Sequence, residues 1–176
     1  KVRQGPVVLI AGEGRSGLLR RVAAWELHHG VCASDLFVST GAASLTDPEG
    51  IEDASAAVAQ VREEAGVPAL ILVDTLNRNF GQGDENSTAD MPRFVSALDR
   101  LRQENPDVVV GVVHHSGQSD KGRARGSSVL RAALDCEAVE NAALSGMNLA
   151  DGVVRITVLL KPEVFYKVLS EQTGLE

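Results

Sequence analysis

The chain has 176 residues, of which 44% are apolar and 23% charged, and its formal net charge is −7. That length suits one domain with a real core rather than two, and no apolar run approaches the roughly 18 residues that span a bilayer. An acidic balance excludes a surface coated in positive potential for nucleic acid, so any such contact must come from a local basic segment.

Aromatic residues make up only 3% of the chain, so the core is expected to be aliphatic. Cys32 and Cys136 stand alone, without metal-type spacing or a disulfide framework, and read as small buried hydrophobes of a reducing, cytoplasmic protein. Lys1 leads quickly into a patterned strand, which gives no expectation of a signal peptide.

Short apolar runs alternate with helical patterns, the mark of an α/β protein with a mostly parallel twisted sheet flanked by helices. Val7 to Ala11 is continuously apolar and predicts a fully buried strand. Leu18, Leu19, Val22 and Ala23 then recur at helical spacing, and this helix is expected to stop near Gly30, with His28 and His29 favourably placed at its C-terminus. Leu36 to Val38 is a short second strand. Ile51, Ala54, Val58, Val61 and Ala65 form one face of a helix ending at Gly66. Ala69 to Asp74 is the strongest strand signal, and a polar loop from Asn77 to Asp90 follows it. Met91, Phe94, Val95, Leu98 and Leu101 predict a helix, and Val108 to Val113 a buried strand ending in His114-His115. After a Gly/Ser/charge-rich loop over 116–126 come a short helix to about Asp135, a late strand over 153–160, and a tail without clear pattern.

Gly12-Glu13-Gly14-Arg15-Ser16-Gly17 matches the spacing of a dinucleotide fingerprint between a strand and a helix. The acidic residue that should end the next strand is missing, since that strand runs into Ser39-Thr40-Gly41. The loop is not a Walker A motif either, because it has no Lys-Ser/Thr pair.

Glu13 and Asp74 each follow a strand directly, and in an open parallel sheet the carboxyl ends of strands face the ligand crevice. An apolar strand ending in Asp is the pattern that holds magnesium through water in nucleotide hydrolases. Taken singly, Glu13 also suits a charge partner for a helix N-terminus, and Asp74 a loop cap. Together they suggest a magnesium ligand and a base that orients water. His114-His115 ends a third strand, where a polar side chain could bond a γ-phosphate. Neighbours on a strand face opposite ways, so the two cannot share one role. One core-packed and one surface histidine is the plainer alternative, and no further ligand lies at metal-site spacing. Lys121, Arg123 and Arg125 put three cations within five residues of a glycine-rich loop, which suits phosphate-backbone contacts or simply a solvated surface.

In this order the segments from Gly5 to Gly14, Arg20 to Trp25, Val73-Asp74-Thr75-Leu76, Asp84-Glu85-Asn86, His114-His115 and Arg125 to Leu130 resemble RepA-like AAA-type ATPases. These are RecA-fold proteins of plasmids and phages, exemplified by hexameric replicative DNA helicases, and the resemblance is strongest over 5–140 of a single domain spanning 1–176. It implies ATP and Mg2+ as cofactors. It also implies Glu13 as the carboxylate that polarises water, Asp74 as the magnesium-binding acid, and His114, or less directly His115, as the phosphate sensor. Lys121, Arg123 and Arg125 would contact single-stranded DNA in the channel of a homo-oligomeric ring, a hexamer, with no membrane involved. The stretch from Asn77 to Asn86 would be a second loop near the channel or subunit interface. The family's Gly-rich Lys-Ser/Thr loop is expected one strand and one helix upstream of this opening segment. No arginine finger is matched near the acidic Leu134-Asp135. A recombination or repair ATPase would use the same residues on a filament. A non-catalytic RecA-like binding module would keep the fold without turnover.

Overall fold

A computed structural model describes residues 3–115, 128–134, 136–140 and 154–159. Among them, six strands form one sheet in the order β2-β1-β3-β4-β6-β5. β1 (Val7–Ala11), β2 (Leu36–Val38), β3 (Leu70–Asp74) and β4 (Val109–His115) are parallel neighbours. β6 (Val154–Leu159) runs antiparallel to β4, and β5 (Cys136–Glu140) antiparallel to β6. This is the α/β, RecA-like arrangement expected from the alternating pattern, extended by an antiparallel pair. The strand over 136–140 has no counterpart in the sequence reading, because Cys-Glu-Ala-Val-Glu is too short and polar to signal itself.

The helices are α1 (Arg15–His29), α2 (Pro48–Ala65), a single turn α3 (Leu76–Asn79), α4 (Met91–Glu104) and α5 (Ser128–Ala132). The core lies between one sheet face and the pair α2 and α4. Val8 and Ile10 of β1, Ile71 and Val73 of β3, and Val110 and Val112 of β4 alternate onto that face. They meet Ala54, Val58 and Val61 of α2 and Met91, Phe94, Ala97, Leu98 and Leu101 of α4. Phe94 is fully buried and stacks on Phe80, with ring centroids 5.4 Å apart. Arg100 bridges the same two helices at their surface, reaching Glu52 at 2.8 Å and Glu104 at 2.6 Å. Its hydrogen bond holds the Glu104 carboxyl below the usual carboxylate range.

α1 behaves differently, since none of its residues is buried. The β1-to-β2 crossover runs the opposite way along the sheet from the crossovers carrying α2 and α4. Right-handed connections therefore put α1 on the other face. It ends as expected at Gly30, whose left-handed φ of 66° lets its N–H bond to the Glu26 carbonyl. Cys32 corrects the sequence reading: it is exposed, in the connection between α1 and β2, while the side chain of Cys136 lies outside what the structure describes. The Cys32 thiol is pushed up mainly by a hydrogen bond with Glu26. Among the described residues, no helix is long and apolar enough to cross a membrane.

Candidate functional site

Three parallel strands end side by side. Ala11 pairs with Asp74, and Asp74 with Val113. Neighbouring strands lie about 4.8 Å apart, so Glu13, Asp74 and His114 all sit at the carboxyl edge of the sheet. β1 sends its chain one way to β2, and β3 sends its chain the other way to β4. The gap between the ends of β1 and β3 is therefore the topological switch point, where open α/β sheets bind ligands. Glu13 and Asp74 flank it.

The glycines of the fingerprint-like loop have local reasons to be glycine. A Cβ on Gly12 would run into the Cβ of Arg78 and come within 2.9 Å of the Asn79 side chain, so β1 can end against α3 only if residue 12 has none. Gly14 sits at the N-cap of α1 with φ of 66°, a left-handed value that glycine tolerates. Close packing and a turn account for the spacing without a bound dinucleotide.

The polar loop expected from Asn77 onward begins instead as α3, with Leu76, Asn79 and Phe80 all buried. Asn79 is the residue that the sequence reading missed. Its Nδ2 donates to the Thr75 carbonyl at 2.9 Å and the Ile10 carbonyl at 3.4 Å, and its Oδ1 accepts from the Ala43 N–H at 2.9 Å. The chain after β2 is laced alongside, with Leu45 N–H donating to the Asn79 carbonyl and Thr46 N–H to that of Phe80. One side chain thus joins the end of β1, the turn after β3 and the loop after β2. The available signal was the spacing of Leu76 and Phe80, four apart around the asparagine, which places one helical turn in an otherwise polar stretch. Asn79→Ala leaves the Ala43 N–H without its partner. The variant is expected to lose about 1–3 kcal/mol of stability, read from urea unfolding.

Glu13 is half-exposed and its Oε2 lies 2.8 Å from Nε of Arg78, itself half-exposed on α3. The Gly12 N–H donates to the Asp74 carbonyl at 2.6 Å, which ties the two acidic strand ends together through the backbone. The Asp74–Thr75 peptide is cis. His114 is at the same edge but on the other face. It shares the parity of the core residues Val110 and Val112, is 2% exposed, and so does not join Asp74, which shares the parity of Leu70 and Leu72. For His115 only the backbone is described, paired with Val154, and its position has the parity opposite to His114. Lys121, Arg123 and Arg125 lie outside the described residues. No group of three or more His, Cys, Asp or Glu gathers at metal-binding distance among the described residues. The Asp74 carboxylate at the switch point fits Mg2+, which is usually held by one or two carboxylates together with water and substrate phosphates.

A four-stranded parallel sheet flanked by helices is the α/β, RecA-like arrangement. Residues 1–121 match the family described as AAA domain. The chain belongs to that family, whose members are ATPases. A second family, described as Stage IV sporulation protein A, middle domain, matches residues 86–176, so both cover 86–121. A search of curated proteins finds no match.

Proposed function

We propose that this chain forms part of the ATPase core of a RecA-fold DNA helicase or helicase-like replication protein of the RepA type. The observation that carries the reading is the placement of Glu13 and Asp74 on adjacent strand ends across the switch point of a chain in the AAA domain family. Glu13 accepts a proton from the water that attacks the γ-phosphoryl group of ATP. Asp74 would hold Mg2+, through water, and the ion when bound would supply positive charge against the phosphates. The phosphate sensor is drawn from the histidine pair. His114 is the first candidate and His115 the second.

Single-stranded DNA is the proposed partner of a hexameric ring. With a net charge of −7, the chain has no general attraction for DNA, so Lys121, Arg123 and Arg125 supply the local cationic surface. Changing all three to Ala in the full-length protein is expected to weaken DNA binding. Each lost phosphate contact should flatten the logarithmic salt dependence by about 0.7 on single strands. DNA-stimulated ATP turnover should fall while basal turnover survives, because Glu13 and Asp74 are untouched. An unchanged salt slope together with unchanged stimulation would remove the DNA-binding role from this loop.

A further inference from the structure

We infer that Arg78 is a positioning residue for the Glu13 carboxylate, an inference that rests on the proposed role of Glu13 in activating water. The ion pair is built from two fixed ends rather than two free side chains. Arg78 stands on α3, flanked by buried Leu76, Asn79 and Phe80. Asn79 clamps that turn to the Ile10 carbonyl of β1, the strand that leads into Glu13. Gly12, immediately before Glu13, lies against the Arg78 backbone and Cβ, and Gly14, immediately after, is turned left-handed. The carboxylate and the guanidinium thus leave neighbouring, packed stretches of backbone and meet at 2.8 Å.

The chemistry of the two groups suits this division of work. Arg78 Nε holds one oxygen of Glu13, Oε2, and leaves Oε1 to accept from water. A guanidinium stays protonated and has no lone pair to offer, so it cannot itself take the water's proton. It can only orient the group that does. Both side chains are about half-exposed, 57% for Arg78 and 50% for Glu13, and an ion pair so solvated contributes little to stability. Its value lies in position, because a charge carried on a packed turn of backbone keeps the opposite charge of Glu13 beside it.

The test measures ATP turnover of the full-length protein carrying Arg78→Ala, Arg78→Lys, Arg78→Gln, Glu13→Gln, and Glu13→Gln combined with Arg78→Ala. Thermal unfolding is followed for each. Arg78→Ala is expected to lower kcat roughly 10- to 100-fold, up to the cost of misplacing a reacting group by about 1 Å, with KM for ATP unchanged. Arg78→Lys should restore part of the loss. Arg78→Gln keeps much of the bulk, should lose activity like Ala, and carries the test if the Ala variant does not fold. In the Glu13→Gln background, Arg78→Ala should cost nothing further, because residues that act as a unit are non-additive. A wild-type kcat in both Arg78→Ala and Arg78→Gln, or an equal fractional loss with and without Glu13, overturns the inference and leaves the role of Glu13 standing. Undiminished turnover in Glu13→Gln overturns the functional reading beneath it.

Discussion

Glu13→Gln in the full-length protein is expected to lower kcat for ATP by roughly 10²- to 10⁴-fold, the usual contribution of a positioned general base. Glutamine keeps the length of the side chain and can still accept a hydrogen bond from water or Arg78, but it cannot take a proton. KM should therefore stay close to wild type, since an interaction used only in the transition state has been removed. Asp74→Asn should behave differently. The loss of a negative oxygen donor raises the Mg2+ concentration needed for half-maximal turnover, and excess Mg2+ recovers part of the rate. The two carboxylates sit one strand apart on one sheet edge, so the contrast between their variants separates proton transfer from metal binding. Steady-state kinetics over a Mg2+ series makes the distinction.

Phe94→Ala is expected to cost about 3–5 kcal/mol of unfolding free energy, as for other buried Phe truncations. Phe94 is among the largest fully buried side chains, and it stacks on Phe80, the residue that follows α3. Truncation opens a cavity between α4 and the sheet and removes a ring contact of about 0.5–1.5 kcal/mol. Against a typical total of about 5–15 kcal/mol, that loss moves the urea midpoint far while leaving the slope unchanged. Leu27→Ala is the control. Leu27 is 87% exposed on α1, and its truncation should fall within about 0.5 kcal/mol of wild type. An equal effect of the two substitutions would mean that α1 carries core packing and that the face covered by α2 and α4 does not dominate.

The strands that position the site were legible because each is a run of apolar β-branched residues bounded by turn residues. Val7–Ala11 and Leu36–Val38 match their expected limits, and β3 and β4 differ from theirs by a residue or two. Two acids directly after such strands could be assigned to one sheet edge by the parallel rule alone, since carboxyl ends coincide whatever the strand order. What distinguishes face from edge was harder to read. His114 shares an edge with Asp74, but its side of the sheet depends on the register of β4 against the core, and that register is a tertiary property. Asn79 was hidden for a related reason. A polar residue in a polar stretch gives no sign of being buried until the packing around it is known. The Gly12 contact with α3 shows the same limit from the other side, because a motif-like glycine here answers to a neighbour 66 residues later in the chain.

The place of β1 in the sheet also bears on how the chain emerges during synthesis. β1 lies between β2 and β3, and both come later in the sequence. At about 5–20 residues per second, Asp74 leaves the ribosome roughly 3–13 s after Ala11. Of the two strands that pair with Val7–Ala11, only the three-residue β2 has emerged through that interval, and α1 has no buried residue. A continuous apolar, β-branched run held open in this way is the kind of segment that chaperones bind and that self-association exploits. Among the described strands, the one that leads into Glu13 waits longest for its second partner.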